Sequence, residues 1–92
     1  MSETITVNRP TKILSIMLHL SSVGATSENF SVAVDDDEGT AYDSVLVAQD
    51  MNMVTDFFSN APIYLAPGQD LDFTYTNTDA STWGLTVVYG DA

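Results

Sequence analysis

The residues able to do chemistry are mostly carboxylates. Asp35, Asp36, Asp37 and Glu38 run together, with Asp43 and Asp50 close behind in sequence. Clustered carboxylates in a loop are the usual ligands of calcium, which takes six to eight oxygens. Asp35, Asp37 and Asp43 are the candidate set. The spacing lacks the longer Asp/Asn pattern and distal Glu of an EF-hand loop. A solvated turn closed by Gly39 is therefore the preferred reading, and no cofactor or metal is expected. Asp70 and Asp72 stand two apart, about 7 Å along one strand face, a separation compatible with a glycosidase pair. Thr74 and Thr76 continue that face, so a polar outer surface explains it better. His19 is the only histidine. It lies between Leu18 and Leu20, with no nucleophile elbow or oxyanion loop elsewhere in the sequence. Asn29-Phe30-Ser31 matches a glycosylation sequon, but inside a strand pattern. Trp83, Tyr75 and Tyr89 can form a sugar-stacking platform, although all three fall on an apolar face and read better as core. No small-molecule substrate and no enzymatic activity are expected.

Those residues have to be held by strands. Thr11–Ser22 alternates with Leu14, Ile16, Leu18 and Leu20 on one face and Ile13, Ser15, Met17 and His19 on the other. Period two marks a strand with one buried face, so the leucine face is expected inside. The second face is unusually apolar for a solvated sheet surface. Asn29–Asp35 puts Phe30, Val32 and Val34 inward, and Tyr42–Gln49 is apolar on both faces. Residues 50–60 have no clear period, although Val54–Ser59 can form a short strand with one of Phe57 and Phe58 inward. Pro62–Ala66 is a short strand that starts at a proline. Residues 68–90 read as two long strands folded into a hairpin, with Leu71, Phe73, Tyr75, Trp83, Leu85, Val87 and Tyr89 on one face. These patterns predict an all-β protein: an antiparallel β-sandwich of jelly-roll type with seven to eight short strands. Residues 1–10 are expected as an N-terminal arm or edge strand, and 11–92 as a single sandwich domain.

Thirteen acidic residues against two basic ones, Arg9 and Lys12, give a formal charge of −11. Nucleic-acid binding needs many cations, so neither nucleic acid nor an anionic membrane is an expected partner. The first residues, MSETITVNRP, lack the basic and apolar regions of a secretion signal. With 92 residues and no cysteine, the small core invites support from association with other subunits.

The run NFSVAVDDDEGTAYDSVLVAQDM, followed by PIYLAPGQDLDFTYTNTDASTWGLTVVYG, resembles small jelly-roll head decoration (cement) proteins of tailed bacteriophages, over about residues 11–90. The resemblance implies a structural virion protein on the capsid surface, made in the host cytoplasm. It would be a homotrimer that binds the major capsid protein and bridges its subunits. The interface is then expected at Ile5, Arg9 and Lys12 in the N-terminal segment, at Ile13, Met17 and His19 on the second strand face, and at Met51 and Met53 in the irregular stretch. The alternative is a tail or fibre module that binds a receptor or carbohydrate through exposed aromatics, with Tyr42, Phe58 and Tyr64 as candidates.

Overall fold

The strand over Thr11–Leu20 is the spine of one sheet, paired along both edges. A computed structural model describes residues 1–36 and 44–92. Among the described residues there are eight strands and no helix: β1 (Ser2–Thr6), β2 (Thr11–Leu20), β3 (Asn29–Asp35), β4 (Ser44–Asp50), β5 (Asp56–Ser59), β6 (Ile63–Leu65), β7 (Asp70–Thr74) and β8 (Trp83–Asp91). Every strand pairing is antiparallel. Sheet A has the order β1-β7-β3-β4. In sheet B, β8 lies along one edge of β2, while β5 and β6 share the other edge end to end. The fold is the expected all-β antiparallel sandwich. Its core is Ile13, Ile16, Leu18 and Leu20 from β2 against Phe30, Val32, Leu71 and Phe73 from sheet A, all essentially inaccessible.

The N-terminal segment is an edge strand. β1 pairs with β7 from Ser2↔Thr74 to Thr6↔Asp70. The terminal ammonium of Met1 donates to the Tyr75 carbonyl at 2.8 Å and anchors the end of the strand.

Two expectations are corrected. β7 and β8 do not form a hairpin. β7 pairs with β1 and β3 in sheet A, and β8 pairs with β2 in sheet B. The intervening link turns through left-handed conformations at Asn77 (φ 57°) and Ala80 (φ 54°). The Asn77 side chain locks that turn by accepting from the Ser81 N–H and donating to the Ser81 carbonyl. The two apolar faces therefore meet across the core rather than side by side. Period two reveals which face is apolar but says nothing about which edge is paired.

The second correction lies in β2. Ile13 pairs with Tyr89 and Ser15 with Val88, so Leu14 is the extra residue of a β-bulge. The bulge reverses the phase of the strand. Ile13 is fully buried, and Leu14 is exposed instead. Tyr89 sits at the open rim and is mostly exposed, whereas Trp83, Leu85 and Val87 pack half-buried on the core.

Candidate interaction face

The outer face of sheet B is apolar. Beyond the bulge, the residues of β2 that point outward are Met17 and His19, with Leu14 and Lys12 before them. Met17 is flanked by Phe58 of β5 and Thr86 of β8, Ser15 by Val88, and Lys12 by Tyr64. Leu14, Met17, Val88, Phe58 and Tyr64 each leave between 43% and 64% of their surface in solvent. The Lys12 Nζ lies 5.5 Å from the Tyr64 ring centroid, a cation–π contact.

The outer face of sheet A is more polar. Thr4 and Thr6 of β1, Ser31 and Ala33 of β3, Val45 and Ala48 of β4, and Asp70 and Asp72 of β7 share it through the register of the ladders, with Val45 its large exposed apolar side chain. The Thr4 hydroxyl donates to Asp72 at 2.8 Å. Small polar and acidic side chains of this kind suit a surface that stays in water.

Charge follows the same division. The strands of sheet A carry Glu3, Asp35, Asp50, Asp70 and Asp72 and no base. Those of sheet B carry only Asp56 and Asp91 as acids, Asp91 beside Arg9 and Asp56 beside His19. The Arg9 Nη1 stands 3.7 Å from Asp91. Asp56 sits 2.6 Å from the His19 Nδ1 and also accepts from the Thr55 hydroxyl. The His19 hydrogen bond is the main cause that holds the Asp56 carboxyl below its ordinary value. A depressed carboxylate pKa stabilises the fold above the unfolded value and loses that contribution as pH falls through the folded one. In an acid titration followed by thermal melting, the wild type should therefore lose a stability increment below about pH 4 that Asp56→Asn lacks. Relief of repulsion among the other carboxylates works the other way and is common to both proteins, so the difference curve isolates the pair. Identical acid limbs in the two proteins would remove the bond from the account.

One end of the sandwich uses its acids structurally. The Asp79 carboxylate accepts from the Ala25 and Thr26 N–H groups, Glu28 from the Thr78 N–H and hydroxyl, and Asp50 from the Ser27 hydroxyl and the Asn52 N–H. These bonds tie the links 21–28, 51–55 and 75–82 together. The Ser27 bond is the largest influence lowering the Asp50 carboxyl, and burial raises the Tyr75 hydroxyl above its usual range, helped by Glu28 and Asp79. Gly24 completes the knot, since a Cβ there would meet the Met51 carbonyl oxygen at 2.9 Å.

The expected interface residues divide accordingly. Lys12, Met17 and His19 come together on the outer face of sheet B. Ile13 does not join them, because the bulge buries it. Met51 is also a correction. It is fully buried and plugs the core beneath the loop knot. Met53 is exposed with φ 63°, but at the loop end rather than on the face. Ile5 is half-buried on the inner side of β1, and Arg9 is engaged with Asp91 at the rim. Phe58, Tyr64 and Val88 complete the face beside Leu14. Phe57 takes the inward position and packs on Phe30 at 5.4 Å between ring centroids. Asp37 and Asp43 of the calcium set, and Tyr42, lie outside the described residues. Among the described residues no three His, Cys, Asp or Glu side chains gather as metal ligands. Asp70 and Asp72 stand on the outer face of sheet A and His19 on that of sheet B, so the three cannot act on one substrate.

No family model, curated protein or solved structure matches this chain.

Proposed function

We propose that this protein is a structural docking module that seats the outer face of sheet B on a larger assembly and leaves sheet A in solvent. The observation that carries this reading is the asymmetry of the two outer faces: one groups Leu14, Met17, Phe58, Tyr64 and Val88, the other is mostly Ser, Thr, Ala and Asp with Val45 among them. Large apolar side chains grouped on one sheet face are the mark of a surface that is covered in use. Together with the sequence resemblance, this supports a more specific role as a jelly-roll head decoration protein. In that role it binds the major capsid protein on the capsid surface and bridges neighbouring subunits.

Magnitudes shape the mechanism. Five half-exposed side chains, at about 1.5–3 kcal/mol for full burial of each, yield roughly 4–8 kcal/mol on docking. Association itself costs about 4–15 kcal/mol. One face alone therefore gives weak attachment, and firm attachment comes from several contacts made by one assembled unit. Met17→Asp puts a carboxylate at the centre of the face without touching the core. It should leave the melting temperature within a few degrees and reduce co-sedimentation with particles at least tenfold, because a desolvated unpaired charge costs several kcal/mol. Electron microscopy of virions locates the wild-type protein. Density at the tail, or absence from the particle, would end the capsid version.

A second reading has its own observation. Phe58 and Tyr64 are exposed aromatics, and Tyr64 borders a groove of about 610 Å³ between β4 and the β5–β6 segment, with Leu46, Ala61 and Pro62. A tail or fibre module would use such rings to stack on a receptor sugar. A glycan array with no binding above background counts against this reading and leaves the docking module as it stands.

A further inference from the structure

The free edge of β8 is an open pairing site. At one end of the strand the Thr82 carbonyl accepts from the Ser21 N–H at 2.8 Å, and at the other the Ala92 N–H donates to the Pro10 carbonyl at 3.1 Å. Both even-numbered residues turn toward β2. The bulge lies in β2, not in β8, so this phase runs unbroken from Thr82 to Ala92. In an antiparallel ladder, alternate residues direct their N–H and C=O to opposite sides. Trp83, Leu85, Val87 and Tyr89 therefore turn theirs away from β2. No strand among the described residues pairs with β8 on that side.

Proteins protect such edges with charge, proline, bulges or brevity. Apart from Asp91 at its end, this edge has none of these. Trp83 to Gly90 reads WGLTVVYG, without a charge or a proline. Beneath it the sandwich is open: Glu3, Ile5 and Phe73 line a cavity of about 440 Å³ together with Trp83, Leu85 and Val87. The other edges are shorter or interrupted. β1 has only five residues, β4 has seven and is broken by a bulge at Leu46, and the far edge of sheet B is divided between the short β5 and β6, with Pro62 between them.

We propose that the β8 edge pairs antiparallel with the β8 edge of a second copy, about a two-fold axis through Thr86. The register is self-complementary. With Thr86 on the axis, Trp83 falls opposite Tyr89 of the other copy, and Leu85 opposite its Val87. Four of the five outward-turned residues of each β8 then pair, giving about eight backbone hydrogen bonds, and Asp91 falls beyond the partner strand. On the inner side aromatic meets aromatic and Leu meets Val, which closes the two seams against each other. On the outer side Gly84 lies opposite Val88, where a large residue needs room, and Thr86 meets Thr86, a favourable cross-strand pair. Of the nearby acids, Asp70 and Asp72 are on the outer face of sheet A, Glu3 of β1 lines the opening beside β8, and Asp91, at the end of β8, stands 3.7 Å from Arg9. Because each copy has one such edge, the contact is isologous and closes as a dimer rather than a filament. It also extends the apolar outer face of sheet B across both copies.

The absence of cysteine makes the register directly testable. Thr86→Cys places two thiols at a non-hydrogen-bonded pair with Cα atoms about 4.5 Å apart, within disulfide range. Gly84→Cys places them four residues out of register, about 13 Å apart. On mild oxidation, Thr86→Cys should convert to a covalent dimer at least tenfold faster than Gly84→Cys. A mixture of Gly84→Cys and Val88→Cys should give the mixed dimer. In sedimentation at micromolar concentration the wild type should be a dimer, and Thr86→Lys, with two like charges on the axis, a folded monomer by circular dichroism. Equal crosslinking of the two single variants overturns the proposal, as does a wild type that sediments as a monomer or trimer. None of these readouts involves a capsid, so a failure here is distinct from a failure of the docking role.

Discussion

Phe73→Ala is expected to cost about 3–5 kcal/mol, the range for an aromatic truncated in a core that cannot collapse around the loss. Phe73 has no accessible surface. It stands in the middle of β7, which is paired on both sides, with Glu3 and Val32 as its direct neighbours. Two flanking ladders hold the backbone in place, so the neighbours cannot close the cavity. A domain of this size has about 5–14 kcal/mol of stability in all. A loss of this order lowers the melting temperature by roughly 12–40 °C and brings the protein near its limit at ambient temperature. Urea unfolding should show a lower midpoint with an unchanged slope, because the surface exposed on unfolding is nearly the same. The same truncation at Phe58, which is exposed on the outer face of sheet B, should cost less than about 1 kcal/mol. Equal losses at the two positions would place the core elsewhere.

The contrast between those two phenylalanines also shows what the sequence could reveal. Alternation over Asn29–Asp35 predicts Phe30 and Val32 inward and recovers β3 to the residue. Leu71 and Phe73 follow by the same argument. Strand partners are another matter, because period two fixes a face and leaves both edges open. The polar stretch 75–82 reads equally well as a hairpin turn or as a crossing between sheets. The crossing wins because both flanking strands carry apolar inner faces that bury more surface by stacking than by pairing. Met51 illustrates a different limit. An aperiodic stretch offers no phase, so nothing in Asp-Met-Asn-Met marks which methionine plugs the core. The candidate face was half legible. Met17 and His19 follow from alternation, whereas Phe58 required a choice between two adjacent phenylalanines, and Leu14 was hidden by the bulge.

That bulge leads to the other large expected effect. Ile13→Asp should abolish folding, whereas Leu14→Asp should give a folded protein with a weakened docking face. Strict alternation from Leu20 back through Leu18, Ile16 and Leu14 would next bury Lys12, one of the two basic residues of the chain. An unpaired ammonium in a core of this size costs several kcal/mol. One extra residue at Leu14 reverses the phase, sends Lys12 out to Tyr64 and brings in Ile13 with Thr11, whose hydroxyl bonds the Arg9 carbonyl at 2.9 Å. The bulge exchanges one exposed leucine for one buried lysine, and the second is far more costly. Ile13→Asp combines the loss of a buried isoleucine, about 2–5 kcal/mol, with the burial of a carboxylate that has no cation near it. The sum exceeds what the domain can lose, so the variant should be insoluble or give the circular dichroism of an unfolded chain. At Leu14 the carboxylate stays in water and the bulge has no ladder partner to lose, so the cost should stay below about 1 kcal/mol. The two variants differ by one position and reverse their outcomes if the strand is regular. A folded Ile13→Asp beside an unfolded Leu14→Asp would restore strict alternation and return Ile13 to the surface.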